Sequence, residues 1–453
     1  MFMSRHNKEK LLLIFLMFSC FYSGSVPGKL HAQVAHSFKP MPVDAISWGA
    51  SNAFSMSHEL LTHSYAVAVE IPGLSAEAQS NVLSLKLLQD DFSKDAAGNA
   101  PYLDDAEKNR ILDLFSGGKG IMQFTSTLHV FTMGVRISQL ALVGGVEDRL
   151  FASVSVPRDF PELVFFGNAP GHTYRFDDAQ AIATWLRQYS LASAKEFLLP
   201  KGNVLRVYGR ASFLQGIGLA RVMAESMQVF TADSDYSIQA SGHLKMMQTS
   251  NISFPGRPRG FGWGIDLLGE FLMPNGIQIS AGVVDLGSLT WTKDVEGRNV
   301  DGSFLLTEVT SSQQRQSFDS AFQVSTPYGT SSRIAMPARL LLQVGYYLDA
   351  SSRTRWLPGI IGARGGLSQT LTGSPLIPKQ LSLYALLDYS PASWLRLGVG
   401  PFYGTVGRFG MSSLIELESK TFHFQIGSKN VLGLFGLPSA TNASLVTSLF
   451  LTF

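Results

Sequence analysis

The feature that most constrains this chain is the spacing of its apolar residues. Hydrophobic residues make up 45% of the 453-residue sequence. Yet beyond Tyr22 no stretch approaches the roughly 18 consecutive apolar residues of a membrane-crossing helix. The apolar side chains recur instead at every second position. In the closing stretch ASLVTSLFLTF, Leu445, Thr447, Leu449, Leu451 and Phe453 share one parity, and Ser444, Val446, Ser448, Phe450 and Thr452 share the other. Successive side chains of a strand point to opposite faces, so this pattern gives a strand with one greasy and one mixed face.

The same period returns upstream. Leu205, Val207, Gly209, Ala211 and Phe213 alternate with Arg206, Tyr208, Arg210 and Ser212. That length fits the roughly 9 to 11 residues with which a tilted strand crosses hydrocarbon. Phe261, Trp263, Ile265, Leu267, Gly269 and Phe271 repeat it against Gly262, Gly264, Asp266 and Glu270. The Asn275-Gly276 pair then marks a tight hairpin, after which Ile277, Ile279, Ala281 and Val283 oppose Gln278 and Ser280. Tyr65, Val67, Val69 and Ile71 fit the pattern, as do Phe422, Phe424 and Ile426 opposite His423 and Gln425. Leu340 to Leu348, Leu381 to Tyr389 and Trp394 to Tyr403 are strand-like, with spacing that suits antiparallel neighbours and leaves no room for crossover helices. An all-β transmembrane antiparallel barrel follows, because only a closed sheet satisfies every backbone group in lipid. A soluble β-sandwich is the competing architecture, but it would leave a long apolar edge strand in water.

Two segments break the rhythm. Asp104 and Glu107 form a capping box ahead of Ile111, Leu112, Leu114 and Phe115, with Gly117 ending a short helix. Asp159-Phe160-Pro161-Glu162 opens another through Leu163, Val164, Phe165 and Phe166, stopped by Gly167. Short helices in such a chain belong to loops or a plug.

The amino-terminus reads as an export signal. Arg5, Lys8 and Lys10 precede the apolar run from Leu11 to Tyr22, and Leu30-His31-Ala32 places cleavage between Ala32 and Gln33. A rival reading makes Cys20, the only cysteine, a lipidated residue. With cleavage at Ala32 the charge falls from +2 to −1, since Arg5, Lys8, Lys10 and Lys29 leave with Glu9. No strong electrostatic partner is implied, nucleic acid included, and an exported chain of this size holds itself together without a disulfide. Charged residues are only 15%, against about a quarter in ordinary globular chains. The division that results is a signal over residues 1–32, a segment 33–63, and a barrel over 64–453.

Several stretches resemble a known family. VEIPGLS from Val69, NVLSLKLLQDDF from Asn81, GFGWGIDLLGEF from Gly260, VVDLGSLTW from Val283, GSKNVLGLFG from Gly427 and the closing SLFLTF carry the likeness. Together they are similar to a Bacteroidetes-type family of uncharacterised outer-membrane proteins, filed as a domain of unknown function and related to FadL-type hydrophobic-compound channels and PorV-like barrels. The resemblance implies about fourteen strands, with residues 33–63 supplying a hatch, centred on Pro42 to Met56, folded into the lumen. It also implies the Gram-negative outer membrane, its lipid, and the barrel assembly machinery as surroundings, with Leu449, Leu451 and Phe453 as the terminal assembly signal. One departure touches function: the Asn-Pro-Ala element of FadL hatches is absent, and Ser51-Asn52-Ala53-Phe54 stands here.

Motifs for chemistry fail on inspection. In His58-Glu59-Leu60-Leu61-Thr62-His63 the histidines are five apart, so they do not share the helix face that zinc-protease ligands need. Gly117-Gly118-Lys119-Gly120 lacks the first glycine and the Ser or Thr of a phosphate loop, and Gly260, Gly262 and Gly264 lack the third glycine of a dinucleotide site. No serine and histidine signature supports a phospholipase. The reading is therefore a non-enzymatic barrel without cofactor or metal that binds or passes a hydrophobic small molecule, with a PorV-like accessory of protein secretion and a soluble secreted β-protein as alternatives. Arg206, Tyr208, Arg210, Asp266, Glu270, His423 and Gln425 are the lumen candidates for the ligand, the bland expectation being that Arg206 or Arg210 pairs with Asp266 or Glu270 to brace barrel against plug. Leu163, Val164, Phe165 and Phe166 are the candidate apolar capture helix.

Overall fold

The computed structural model describes residues 52–62, 65–90, 102–250, 256–307, 322–349, 358–437 and 439–453. The leader, with Ala32, Gln33 and Cys20, lies outside the described residues, as does the hatch segment before Asn52. In chain order the first elements are helix α1 (Asn52–Thr62), strand β1 (Val67–Ser80), helices α2 (Leu85–Asp90) and α3 (Asp105–Leu114), strands β2 (Lys119–Ile137) and β3 (Leu140–Pro157), and helix α4 (Asp159–Phe166). Strands β4 (Thr173–Arg175), β5 (Gln180–Leu198), β6 (Val204–Thr231), β7 (Ile238–Thr249), β8 (Gly260–Leu272), β9 (Ile277–Trp291) and β10 (Val295–Leu306) follow. After the short strands β11 (Phe322–Val324), β12 (Tyr328–Gly329) and β13 (Ser332–Ala335) come β14 (Arg339–Asp349), β15 (Ile360–Thr370), β16 (Leu381–Ala392) and β17 (Leu395–Gly404). The chain closes with β18 (Arg408–Glu418), β19 (Phe422–Ser428), the short helix α5 (Val431–Leu434) and β20 (Asn442–Thr452).

Fourteen of these strands form a closed antiparallel barrel, in the order β1, β2, β3, β5, β6, β8, β9 and β14 through β20. Closure is made by the first and last strands, Ala68 pairing with Thr452 and Gln79 with Asn442. At the end where β1 begins and β20 finishes, several connections are tight: two residues between β2 and β3, and the Met273 to Gly276 turn between β8 and β9. Asn275 accepts from the amide of Ile277 there, and Gly276 takes φ 89°, which a side chain would resist. The other end carries the longest connections, those that follow β1, β3, β6 and β9, the asymmetry of membrane barrels with short inner turns and long outer loops.

Side-chain parity agrees with the sequence pattern. Val207, Phe213, Trp263, Leu267 and Ile279 face outward, with Leu267 58% exposed, while Arg206, Tyr208, Arg210, Asp266, Glu270 and Gln278 are buried inside. On β20, Phe453 is exposed and Leu451 and Leu449 share its outward face, while Phe450 and Thr452 are buried. An outer band this apolar suits lipid and would aggregate in water.

β6 runs 28 residues, far beyond what a bilayer needs. Its first half pairs with β8, from Val204 with Leu272 to Gly216 with Gly260. Its second half leaves the barrel and pairs with β7, which pairs with β10, building a sheet that continues past the rim. Both predicted loop helices are present. Asp104 and Glu107 make their reciprocal capping box on α3, and Gly167 ends α4 with φ 74°.

Candidate functional site

The lower lumen, at the end where β1 begins and β20 finishes, is filled by α1. From Ala53 to Leu61 every residue of this helix is buried. Room for it comes from small inward residues on the facing wall: Ala141, Ala192 and Ala194 pack in one cluster with Phe54, Met56, Leu60 and Leu61. Gly134 belongs to the same accommodation, since a β-carbon there would stand 2.6 Å from Leu60.

Two polar contacts tie the helix to opposite parts of the wall. His58 Nδ1 lies 3.0 Å from the Tyr208 hydroxyl, which donates to Glu270 Oε2 at 3.2 Å. Arg206 joins Glu270 at 3.2 Å and Glu196 at 2.8 Å. On the far side, His423 places Nδ1 3.1 Å from Glu59 of the helix and Nε2 3.1 Å from Glu416 of β18. His423 therefore stands between a carboxylate of the helix and one of the wall. Tyr65, outside the strands, donates its hydroxyl to the Ser419 carbonyl at 2.9 Å. Burial, then the carboxylates of Glu418 and Glu59, push its phenol above the usual range.

Glu59, Glu416 and His423 form the one grouping among the described residues whose ligand atoms, all within 4.8 Å, could surround a metal. Arg396 sits 2.9 Å from Glu416, so one of the two carboxylates is already paired with a guanidinium. A fixed cation beside the grouping disfavours a dication there.

Above α1 lies a belt of ion pairs. Arg210 bonds Asp266 and, at 2.9 Å, Glu147. Arg149 reaches Asp285 at 2.6 Å and Arg339 reaches the same carboxylate at 3.0 Å. Asp285 sits in a bulge of β9 with φ 58°, and its amide donates to Asp266. The bulge turns both Val284 and Asp285 inward and so delivers the carboxylate to the two arginines. The Arg210 guanidinium also lies over the Phe54 ring at 5.7 Å, joining belt to helix. Positive and negative charges alternate here in equal number, as buried charges must to avoid a large desolvation cost.

The upper lumen, toward the loops, has the opposite chemistry. Phe151, Leu186, Leu214, Leu289, Trp291 and Ile334 point inward from β3, β5, β6, β9 and β13, and Met336, Leu376 and Ile377 fill the space between them. Leu376 and Ile377 lie between two prolines in the connection from β15 to β16. That loop is pinned by hydrogen bonds from Ser374 Oγ to the Ala335 carbonyl, 2.7 Å, and from Thr372 Oγ1 to the Met336 carbonyl, 3.1 Å.

Sequence residues 61–427 match the model of a family of unknown function, DUF5723. The chain belongs to that family. No curated protein matches it. Among solved structures it is similar to a TodX deltaS2S3 mutant monoaromatic hydrocarbon channel, at 9% identity over 87% of this chain and 92% of that one, TM-score 0.44. The Pseudomonas putida toluene transporter TodX is similar at 8% identity over 91% and 95%, TM-score 0.41. A Pseudomonas aeruginosa FadL homologue is similar at 10% identity over 88% and 92%, TM-score 0.38.

All seven lumen candidates read from this family member's sequence are buried. Arg206, Tyr208 and Glu270 meet in one network with His58, and Arg210 pairs with Asp266 in the belt. His423 meets the helix on the other side; Gln425, two positions further along β19, is buried too. The sequence reading missed Glu59, Glu147, Arg149, Asp285, Arg339 and the whole apolar mouth. On α4, Phe165 packs with Ile111 and Phe115 of the α3 region, and Val164 and Phe166 are exposed. None of its four candidate residues belongs to the mouth cluster.

Proposed function

We infer that this protein is an outer-membrane barrel, exported by a cleaved signal, that captures a hydrophobic small molecule at its loop-side mouth and admits it past a plug, without chemistry of its own. The single observation that carries this reading is the division of the lumen. An apolar cluster sealed by two loop residues, Leu376 and Ile377, stands over a floor of matched charges and a buried helix. Apolar contacts are non-directional, so a greasy ligand can replace Leu376 and Ile377 at little cost, whereas the charged floor offers it nothing. Passage follows the concentration gradient and requires α1, with the segment before it, to move aside as a hatch. Outward Leu449, Leu451 and Phe453 serve as the signal read by the barrel assembly machinery. Uptake of a hydrophobic dye into liposomes, with full-length protein and with a form lacking residues 42–56, tests the channel; both forms failing to transport refutes it.

A second reading, an accessory barrel of protein secretion, draws on the sheet of β6, β7 and β10 that extends past the rim. Co-purification of secretion components in mild detergent, lost when residues 220–250 are replaced by a short turn, together with no small-molecule flux, supports it over the channel.

A further inference from the structure

The apolar mouth is not purely apolar. Trp291 is a fully buried member of it, and its indole Nε1 has no acceptor among the described residues. The ring is oriented by its neighbour. The six-membered edge of the indole lies against Gly216 so closely that a β-carbon there would stand 2.6 Å from it. Nε1 is on the opposite edge, turned away from the β6 wall. A second group has the same character. Thr184 points inward between Ile182 and Leu186 on β5, and it pairs laterally with Phe151 on β3 and Leu219 on β6, so members of the apolar cluster surround it on every side. Its Oγ1 is buried and also has no partner among the described residues.

Leaving a buried donor unpaired costs about as much as a lost hydrogen bond, and two such groups in one apolar cluster are a standing penalty. Phenylalanine and valine would fill the same space without it. The penalty vanishes when something brings an oxygen into the mouth. We propose that the mouth is a binding site for an apolar molecule bearing a carbonyl, ether or similar acceptor oxygen, which the indole N–H of Trp291 holds and the Thr184 hydroxyl assists. This rests on the capture reading above and narrows it: a plain hydrocarbon fits the mouth but leaves both donors unmet. The ligand body takes the volume of Leu376 and Ile377, and the pinned loop between β15 and β16 swings out to admit it. The belt of Arg149, Asp285 and Arg339 marks the depth at which the greasy part stops, because apolar atoms there would strip those charges of solvent and partners.

The test compares 2-decanone with decane, each titrated against the full-length protein in nanodiscs, in wild type, Trp291→Phe and Thr184→Val. Trp291→Phe should weaken 2-decanone about five- to ten-fold, the worth of one buried hydrogen bond, and leave decane within two-fold. Thr184→Val should act in the same direction and less. In infrared spectra the ketone band should shift to lower frequency on binding wild type and lose that shift with Trp291→Phe, a signature that a packing role would not produce. Should the tryptophan variant fail to give a heat-modifiable folded band, Thr184→Val and the wild-type band shift decide the matter. Equal losses for both ligands, or an unshifted carbonyl band in wild type, overturn the proposal while leaving hydrophobe capture intact. Absence of binding by either molecule overturns the capture reading and this one with it.

Discussion

The two halves of the lumen are built on the same strands and do opposite things. In the lower half each charge meets its complement: Arg206 with Glu270, Arg210 with Asp266 and Glu147, Glu59 with His423. In the upper half the side chains of Leu376, Ile377 and Trp291 are held by packing, and two buried polar atoms there, Trp291 Nε1 and Thr184 Oγ1, have no partner among the described residues. Directional pairs specify a position and are costly to break one partner at a time. Dispersion contacts specify only shape, so their occupant can be exchanged. A lumen with a fixed floor and a replaceable filling is a capture chamber over a barrier, and the boundary lies at the Asp285 bulge.

Ways of breaking this contrast follow in order of size. The largest effect should come from deleting residues 52–62, which removes α1 and leaves an aqueous gap between charged walls. Planar-bilayer recordings should then show steady ion conductance, with the intact chain closed, and a closed deletion form would mean the helix is not the barrier. Next, Arg210→Ala should destabilise the barrel by about 3–5 kcal/mol by stranding Asp266 and Glu147, read as a lower temperature for loss of the compact band on a gel. Leu376→Ala should cost less, toward the low end of the ~2–5 kcal/mol for a buried leucine, because the loop can settle into the space; hydrophobe binding should be retained or strengthened. The smallest should be Gly216→Ala, about 1–3 kcal/mol from crowding the Trp291 ring. It also tilts that ring, so the ketone band shift should change along with the modest loss of thermal stability.

Much of the fold was legible because a strand face is written locally. The parity of Leu205 to Phe213 and of Leu445 to Phe453 survives intact in the barrel. The strand count came from the family resemblance, since short strands such as β19, seven residues, carry little pattern of their own. Of the lumen chemistry, the pairs on adjacent strands were readable: Arg206 opposes Glu270 and Arg210 opposes Asp266 in the β6–β8 register. Glu147 and Arg149 lie two and more strands away across the lumen, and Asp285 reaches it through a bulge that shifts parity, so neither could be placed from spacing. The mouth was hidden for another reason. Leu376 and Ile377 are an isolated apolar pair in a proline-flanked loop, and nothing local says that such a loop turns inward. The one local sign was that an apolar pair sits in a loop of otherwise turn-forming residues.

The most direct test is to locate a bound hydrophobe. A bromine-labelled medium-chain ketone, soaked into crystals of the full-length protein and mapped by anomalous scattering, should place its bromine within the cluster of Trp291, Leu186 and Leu214, on the loop side of Asp285, with Leu376 and Ile377 displaced. Bromine beside α1, below the ion-pair belt, would contradict a chamber standing over a closed floor.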